Sequence, residues 1–290
     1  MTHKKHIALK NKSLYIFILM LMALLPVRAQ DDYAAVIGNA MKAMEQDSLT
    51  KAETLILQAM HLKPADKANA VLYQYLGEIY VRQKRHKDAL QAFSDGLTLQ
   101  GGNQNLLIDR ASLYLTMGSE GRALTDLDNL LTINPDHLQG LFYRAYVYRK
   151  QHLMMKARRD YERLIMLQPE NREARISLAM LNADDNRPQE AMEQADIIVR
   201  YWPNYAVGWI VRGGLYQKRR NFELALQDMN QAIRLEPDNP DFYISRAILY
   251  RDFKKKSLAR ADFARAVQLG ADPAECAGLM LTDRRGKEAK

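Results

Sequence analysis

The sequence predicts an all-α chain, a solenoid of antiparallel helix pairs, and three observations predict it. Pro135, Pro169, Pro203 and Pro237 stand 34 residues apart, each behind an apolar stretch: LLTINP, LIMLQP, IIVRYWP and AIRLEP. A small residue keeps the same interval at Gly77, Ala111, Ala145, Ala179, Gly213 and Ala247. An alanine does so at Ala52, Ala89, Ala123, Ala157, Ala191, Ala225 and Ala259, with one step of 37 at the start. A fixed period of this size marks a repeat array, each repeat burying its apolar face on its neighbours.

The N-terminus stands outside the array. Lys4, Lys5, Lys10 and Lys12 form a basic leader, Leu14–Leu25 is an unbroken apolar run, and Pro26 ends it before Val27-Arg28-Ala29. This is the layout of a secretory signal peptide over residues 1–29. As a helix the run rises about 18 Å, short of a bilayer core of roughly 30 Å. The alternative is an uncleaved membrane anchor. No cysteine follows the run, so lipidation there is excluded. The single Cys276 allows no intramolecular disulfide and reads as a small buried hydrophobe. The net charge of +8 is partly the leader's: residues after 29 hold 37 Lys+Arg against 34 Asp+Glu. That balance gives no argument for nucleic acid. With 48% hydrophobic and 26% charged residues, the chain is neither disordered nor short of core.

From residue 30 to 281 the intervals define about seven repeats: 33–66, 70–103, 104–137, 138–171, 172–205, 206–239 and 240–273. In the first, the second helix is in register and the first (Tyr33–Met44) departs from pattern, as a terminal repeat facing water does. The 37-residue step implies three extra residues near Ala65–Asn69. In each repeat the small residue lets two helices approach closely, and a bulky residue a turn away (Tyr80, Tyr114, Tyr148, Tyr216 and Tyr250, with Asn182 the exception) fills the space beside them. Proline bars continuation of the second helix, and Asp136, Glu170, Asn204 and Asp238 suit caps for the next. Residues 273–281 read as a short capping helix, and 282–290 as a frayed tail.

The second repeat reads Tyr73-x2-Leu76-Gly77-x2-Tyr80, then Ala89-x3-Phe93. With the 34-residue period, this resembles the tetratricopeptide-repeat (TPR) signature, and the likeness spans nearly all of the chain after the leader. The resemblance implies a superhelical solenoid whose first helices line a concave groove for an extended or helical peptide. By alignment the groove positions are Gln74, Glu78, Ile108, Ser112, Phe142, Tyr146, Ile176, Met180, Ile210, Gly214, Ile244 and Ile248. From the third repeat onward they are largely apolar or aromatic, which suits a peptide-binding strip and equally suits packing between repeats. Some TPR domains clamp a chaperone's C-terminal carboxylate with Lys, Asn and Arg in this groove; those residue types are missing from the corresponding positions. Trp209, on the aromatic position of its repeat, reads as core, and Trp202, before Pro203, as a contact residue.

One feature departs from the general pattern. The Leu before the small residue becomes Arg at 110, 144, 212 and 246, and sixteen residues on the same four repeats carry Asp126, Asp160, Asp228 and Asp262. The repeats with Leu76 and Leu178 carry Ala92 and Gln194 instead. This co-occurrence predicts an Arg–Asp salt bridge between the two helices of one repeat. Such a ladder either fixes helix register or forms an anion-binding row along the groove.

Nothing in the sequence points to chemistry. His61, His86, His137 and His152 form neither an i, i+4 pair nor a cluster with Cys276. There is no nucleophile elbow, phosphate loop or dinucleotide fingerprint, and Asp184-Asp185-Asn186 reads as a turn between helices rather than a calcium loop. The expectation is therefore a protein-interaction scaffold or adaptor with a protein or peptide ligand and no catalytic, metal or cofactor site. Export places it in the periplasm or an equivalent compartment. The alternative is a structural subunit of a membrane-associated or oligomeric assembly, touching membrane only through an uncleaved N-terminal segment. Helical-repeat RNA binding would need a basic face with stacking residues, which the apolar groove does not offer.

Overall fold

The structure, a computed structural model, describes residues 27–64 and 66–281. Residues 1–26 of the leader expected over 1–29, and the tail over 282–290, lie outside the described residues; residues 27–29 form the start of the first described helix. Fifteen helices are described and no strand. Seven pairs run α1 (Val27–Glu45) with α2 (Leu49–Leu62), α3 (Asn69–Arg82) with α4 (His86–Leu99), α5 (Gln104–Thr116) with α6 (Glu120–Ile133), α7 (Leu138–Lys150) with α8 (Met154–Leu167), α9 (Arg172–Asp184) with α10 (Pro188–Tyr201), α11 (Ala206–Lys218) with α12 (Phe222–Leu235), and α13 (Pro240–Asp252) with α14 (Lys256–Gln268); α15 (Pro273–Leu281) follows. Among the described residues no helix is long and apolar enough to cross a membrane. The chain divides into two compact units, one ending at Tyr143 within α7 and one beginning at Arg144.

The alanine column explains how the pairs close. Ala52, Ala89, Ala123, Ala157, Ala191, Ala225 and Ala259 are all 0% exposed, so each second helix presents a flat face to its partner. In α3 the partner residue is Gly77, where a methyl would lie 2.1 Å from the Phe93 ring. Gly213 is held similarly, between the Ala225 carbonyl and Met229. In the first unit Tyr33, Ile37, Ala40, Ala52, Ile56, Leu72 and Ile79 share one buried cluster. Ala40 is the small residue of its repeat, so α1 is more regular than its sequence suggests; Ala43 on the tyrosine position is what disguises it. The three extra residues of the 37-residue step are two in the link between α2 and α3, which has six residues where the later links between repeats have four, and one in α3 itself. In the second unit the cores are built on Ala191, Met192, Ala195 and Leu215, on Ala225, Met229 and Leu249, and on Ala247, Phe263, Ala266 and Cys276. Cys276 is buried, and burial raises its thiol pKa above the ordinary value.

Within each pair the turn has one geometry. Asp47, Lys84, Gly118, His152, Asn186, Arg220 and Lys254 all have φ between 54° and 69°. The next residue's N–H returns to a carbonyl five residues back, as in Arg85 to Tyr80 and Lys255 to Tyr250, both 2.8 Å. This is the left-handed C-terminal cap that satisfies a helix's orphan carbonyls. The expected caps at Asp136, Glu170, Asn204 and Asp238 are corrected by one residue. Proline and its successor form the turn, and the following residue is the extended cap. Asn171 accepts from the Ala174 N–H, Asn239 from the Asp241 N–H, and His137 Nδ1 from the Gly140 N–H.

Candidate functional site

The first helices lie next to one another within each unit: α3 touches α5, and α9, α11, α13 and α15 touch in sequence. Their outward sides form the candidate surface. In the first unit it is polar. Gln74 Nε2 donates to Asp109 Oδ2 at 2.8 Å and to Glu78 Oε1 at 3.2 Å. Ser112 lines a cleft of about 310 Å³ with Glu78, Asp109, Arg82 and Thr116, floored by Phe93 and Leu113. His86 lines the same cleft, and its Nδ1 is buried without a hydrogen-bond partner. Ile108 is 5% exposed and belongs to the core, a correction to its placement in the groove: the helix turns its α5 position inward. Phe142 meets Tyr143 edge-on at 6.3 Å.

In the second unit the surface is apolar. Tyr146 and Met180 are 40% and 41% exposed. Ile176, Ile210, Gly214, Ile244 and Ile248 are half-buried, and Ile210, Ile244 and Ile248 rest one flank on the cores below. The strip therefore both packs and faces outward. Met180, Ile210, Gly214 and Ile248, with Leu215 and Leu279, line an open cleft of about 740 Å³. Its rim carries Asp184, Lys218, Arg251 and Asp252. Asp184 accepts from Arg149 at 3.0 Å and faces Lys218 at 3.7 Å; Asp252 accepts from Gln217 and Arg251, both at 2.8 Å.

The Arg–Asp ladder lies between helices, away from this surface. Arg110 to Asp126, Arg144 to Asp160, Arg212 to Asp228 and Arg246 to Asp262 are two-pronged, Nε and Nη2 each donating to one carboxylate oxygen at 2.7–2.9 Å. Their carboxylates are buried. The remaining nitrogen of three guanidinium groups turns to the preceding repeat, where Nη1 donates to Ser94 Oγ, Asp196 Oδ1 and Asn230 Oδ1. Each of these arginines thus ties three helices. The bond to its Asp, against the opposing effect of burial, holds the pKa of Arg110, Arg212 and Arg246 above the usual arginine range. With the three nitrogens of Arg110, Arg212 and Arg246 all engaged, the geometry favours register over anion binding.

Three positions missed from the sequence complete the picture. The residue six after each of three prolines donates to that proline's carbonyl: Arg175 Nε to Pro169, Trp209 Nε1 to Pro203 and Tyr243 Oη to Pro237, at 3.1, 2.8 and 3.0 Å. Trp209 is thereby half-buried with a satisfied indole, while Trp202 is half-buried beside the exposed Tyr201, their rings 6.2 Å apart. In the repeat that carries Leu178, Arg175 also reaches Gln194, so an arginine one turn earlier serves the vacant rung. The Asn182 exception has a cause as well. Arg158, 7% exposed, enters where four other repeats carry Leu90, Leu124, Met192 and Leu226, and donates to Asn182 Oδ1 and to Asp185 Oδ2.

Residues 147–206 and 211–275 match the tetratricopeptide repeat family model. A solved tetratricopeptide repeat protein from Parabacteroides merdae is similar in fold, with a TM-score of 0.74 and 24% identity, covering 86% of this chain and 98% of that one. Human RNA polymerase II-associated protein 3 is 24% identical over 187 residues, 60% of this chain and 28% of that protein. Human protein O-mannosyl-transferase TMTC3 is 22% identical over 242 residues, 70% of this chain and 26% of that protein. The chain thus spans little more than a quarter of either curated relative. Proteins with these repeats generally mediate protein–protein interaction and are generally not enzymes.

Proposed function

This chain is a tetratricopeptide-repeat protein, and on that premise we propose that it is an exported scaffold or adaptor, periplasmic or in an equivalent compartment, that holds a segment of another protein against its first helices. The observation that carries this reading is the open cleft lined by Met180, Ile210, Gly214 and Ile248. Apolar surface left uncovered between satisfied polar rims is characteristic of a polypeptide-binding site. The basic leader and apolar run ahead of residue 30 support export.

Pull-down from the native organism tests the binding reading. Phe142, Tyr146, Ile176 and Ile210 are changed singly to Glu, with circular dichroism to confirm folding. The variants are expected to lose a partner that the unaltered chain retains; retention of every partner by all four would overturn the assignment. Fractionation with N-terminal sequencing tests export. A soluble protein beginning at Gln30 supports the proposal, and an intact N-terminus in membranes would instead place the chain in a membrane-held assembly.

A further inference from the structure

Gly214 stands at the ninth of thirteen positions in α11, where glycine is a poorer helix former than alanine. A glycine in such a place ordinarily answers to one of three needs: a left-handed backbone, a close neighbour within the fold, or a close neighbour from outside it. The first does not apply, since the positive-φ glycines are Gly118 and Gly270. Nor does the second, since a methyl on Gly214 would meet nothing within 4 Å. The adjacent Gly213 shows the contrast, its methyl falling 3.2 Å from the Ala225 carbonyl. What remains is the outside.

The same position of the flanking repeats carries Met180 and Ile248, so Gly214 opens a notch between two large apolar side chains on the floor of the cleft. Resting on the reading of this surface as a polypeptide-binding face, we infer that the notch is a specificity pocket that takes one bulky apolar side chain, aromatic or leucine-sized, from a bound partner segment. The rim charges argue for that chemistry. Asp184 and Asp252 are each neutralised by partners within the chain, so the cleft asks for no counter-charge and selects by shape and apolar burial. The stretch that follows α15 in the sequence, TDRRGKEAK, carries no apolar side chain larger than Ala289 and so lacks such an anchor.

The test pans a phage-displayed library of random peptides against the purified full chain and titrates the selected peptides, made synthetically with a fluorescent label. Selected peptides are expected to share a bulky apolar residue. Its change to Ala, and Gly214→Phe in the protein, should each weaken binding about ten-fold or more. Gly214→Ala should leave the fold intact and raise Tm by about 2–4 °C, which separates loss of binding from loss of structure. Gly121→Phe, an equally open glycine on α6 away from the cleft, should change nothing. Peptides that lose binding to Ile210→Glu yet bind Gly214→Phe as tightly as the unaltered chain would overturn the notch and leave the surface assignment standing. A library that yields no binder, or binders indifferent to both changes, would remove the surface assignment and the notch with it. A dimer that Gly214→Phe splits in sedimentation would give the cleft to a second copy, overturning the peptide ligand.

Discussion

At the residue scale, steric contact and ion pairing decide most of what the repeats can tolerate. The Phe93 ring is 1% exposed and has no room to retreat from Gly77. Gly77→Ala is expected to destabilise by about 1–3 kcal/mol, seen as a lowered Tm, with Phe93→Leu in the same chain recovering part of the loss. The ladder makes a finer prediction. Asp262→Ala strands Arg246 with only the neutral Asn230, whereas Asp228→Ala leaves Arg212 its second carboxylate, Asp196. Asp262→Ala should cost about 3 kcal/mol, the lower end for a broken buried pair because Arg246 is 19% exposed. Asp228→Ala should cost less; equal losses would mean that the bridge to the preceding repeat carries no weight. Unchanged melting in both, with altered ligand binding, would move the ladder into the binding surface. The within-repeat pairs were legible because Arg and Asp come and go together in the sequence. The third nitrogen's partner was not, because Ser94, Asp196 and Asn230 share a position and no chemistry beyond accepting a hydrogen bond.

A pH dependence also belongs at this scale. Tyr33 is buried, donates to Asn69 Oδ1, and has its phenol pKa pushed up to about 12 by burial, with Asp66 adding to the effect. The unfolded phenol titrates near 10. Between those values the unfolded chain has released the proton and the folded one has not, so this contribution to stability is full below about pH 10 and is lost as pH rises toward 12. Melting curves over that interval should fall less steeply for Tyr33→Phe than for the unaltered chain; parallel curves would contradict the assignment.

At the scale of elements, prolines mark where most of the second helices have ended and alanines where each pair closes, and both are periodic enough to place the helices from sequence alone. The caps lie one residue beyond the polar positions expected, because the turn needs proline and its successor before an extended residue can cap. The left-handed turns were hidden for a different reason. Lys84, His152, Arg220 and Lys254 occupy the conformation that Gly118 occupies without strain, and no propensity argument would put lysine or arginine there. The repeat geometry imposes the conformation on them. Lys254→Gly should therefore stabilise the chain by about 0.5–1 kcal/mol, the left-handed penalty relieved less the added freedom of the unfolded glycine. Differential scanning calorimetry reads this as a raised Tm, and a lowered Tm would mean that the lysine side chain contributes more than its backbone costs.

At the scale of the whole molecule, both units repeat one structural unit but present different chemistry on their first helices. The face built on Gln74, Glu78, Asp109 and Ser112 is polar, and the face built on Met180, Ile210, Gly214 and Ile248 is apolar. That difference was visible in the alignment of positions. Burial depth was not, which is why Ile108 fell among surface positions: the repeat register says which side of a helix a residue is on, and the neighbouring side chains decide how far it is covered.

On the proposed function, ligand is held by first helices and not by second ones. Site-specific photo-crosslinking in the native cell tests it most directly, with the reactive side chain placed at Ile210 or Ile248 on α11 and α13 and, for comparison, at the exposed Leu224 or Leu258 on α12 and α14. A discrete adduct is expected from Ile210 and Ile248 and none from Leu224 or Leu258. Adducts from the second helices alone would contradict the proposed function.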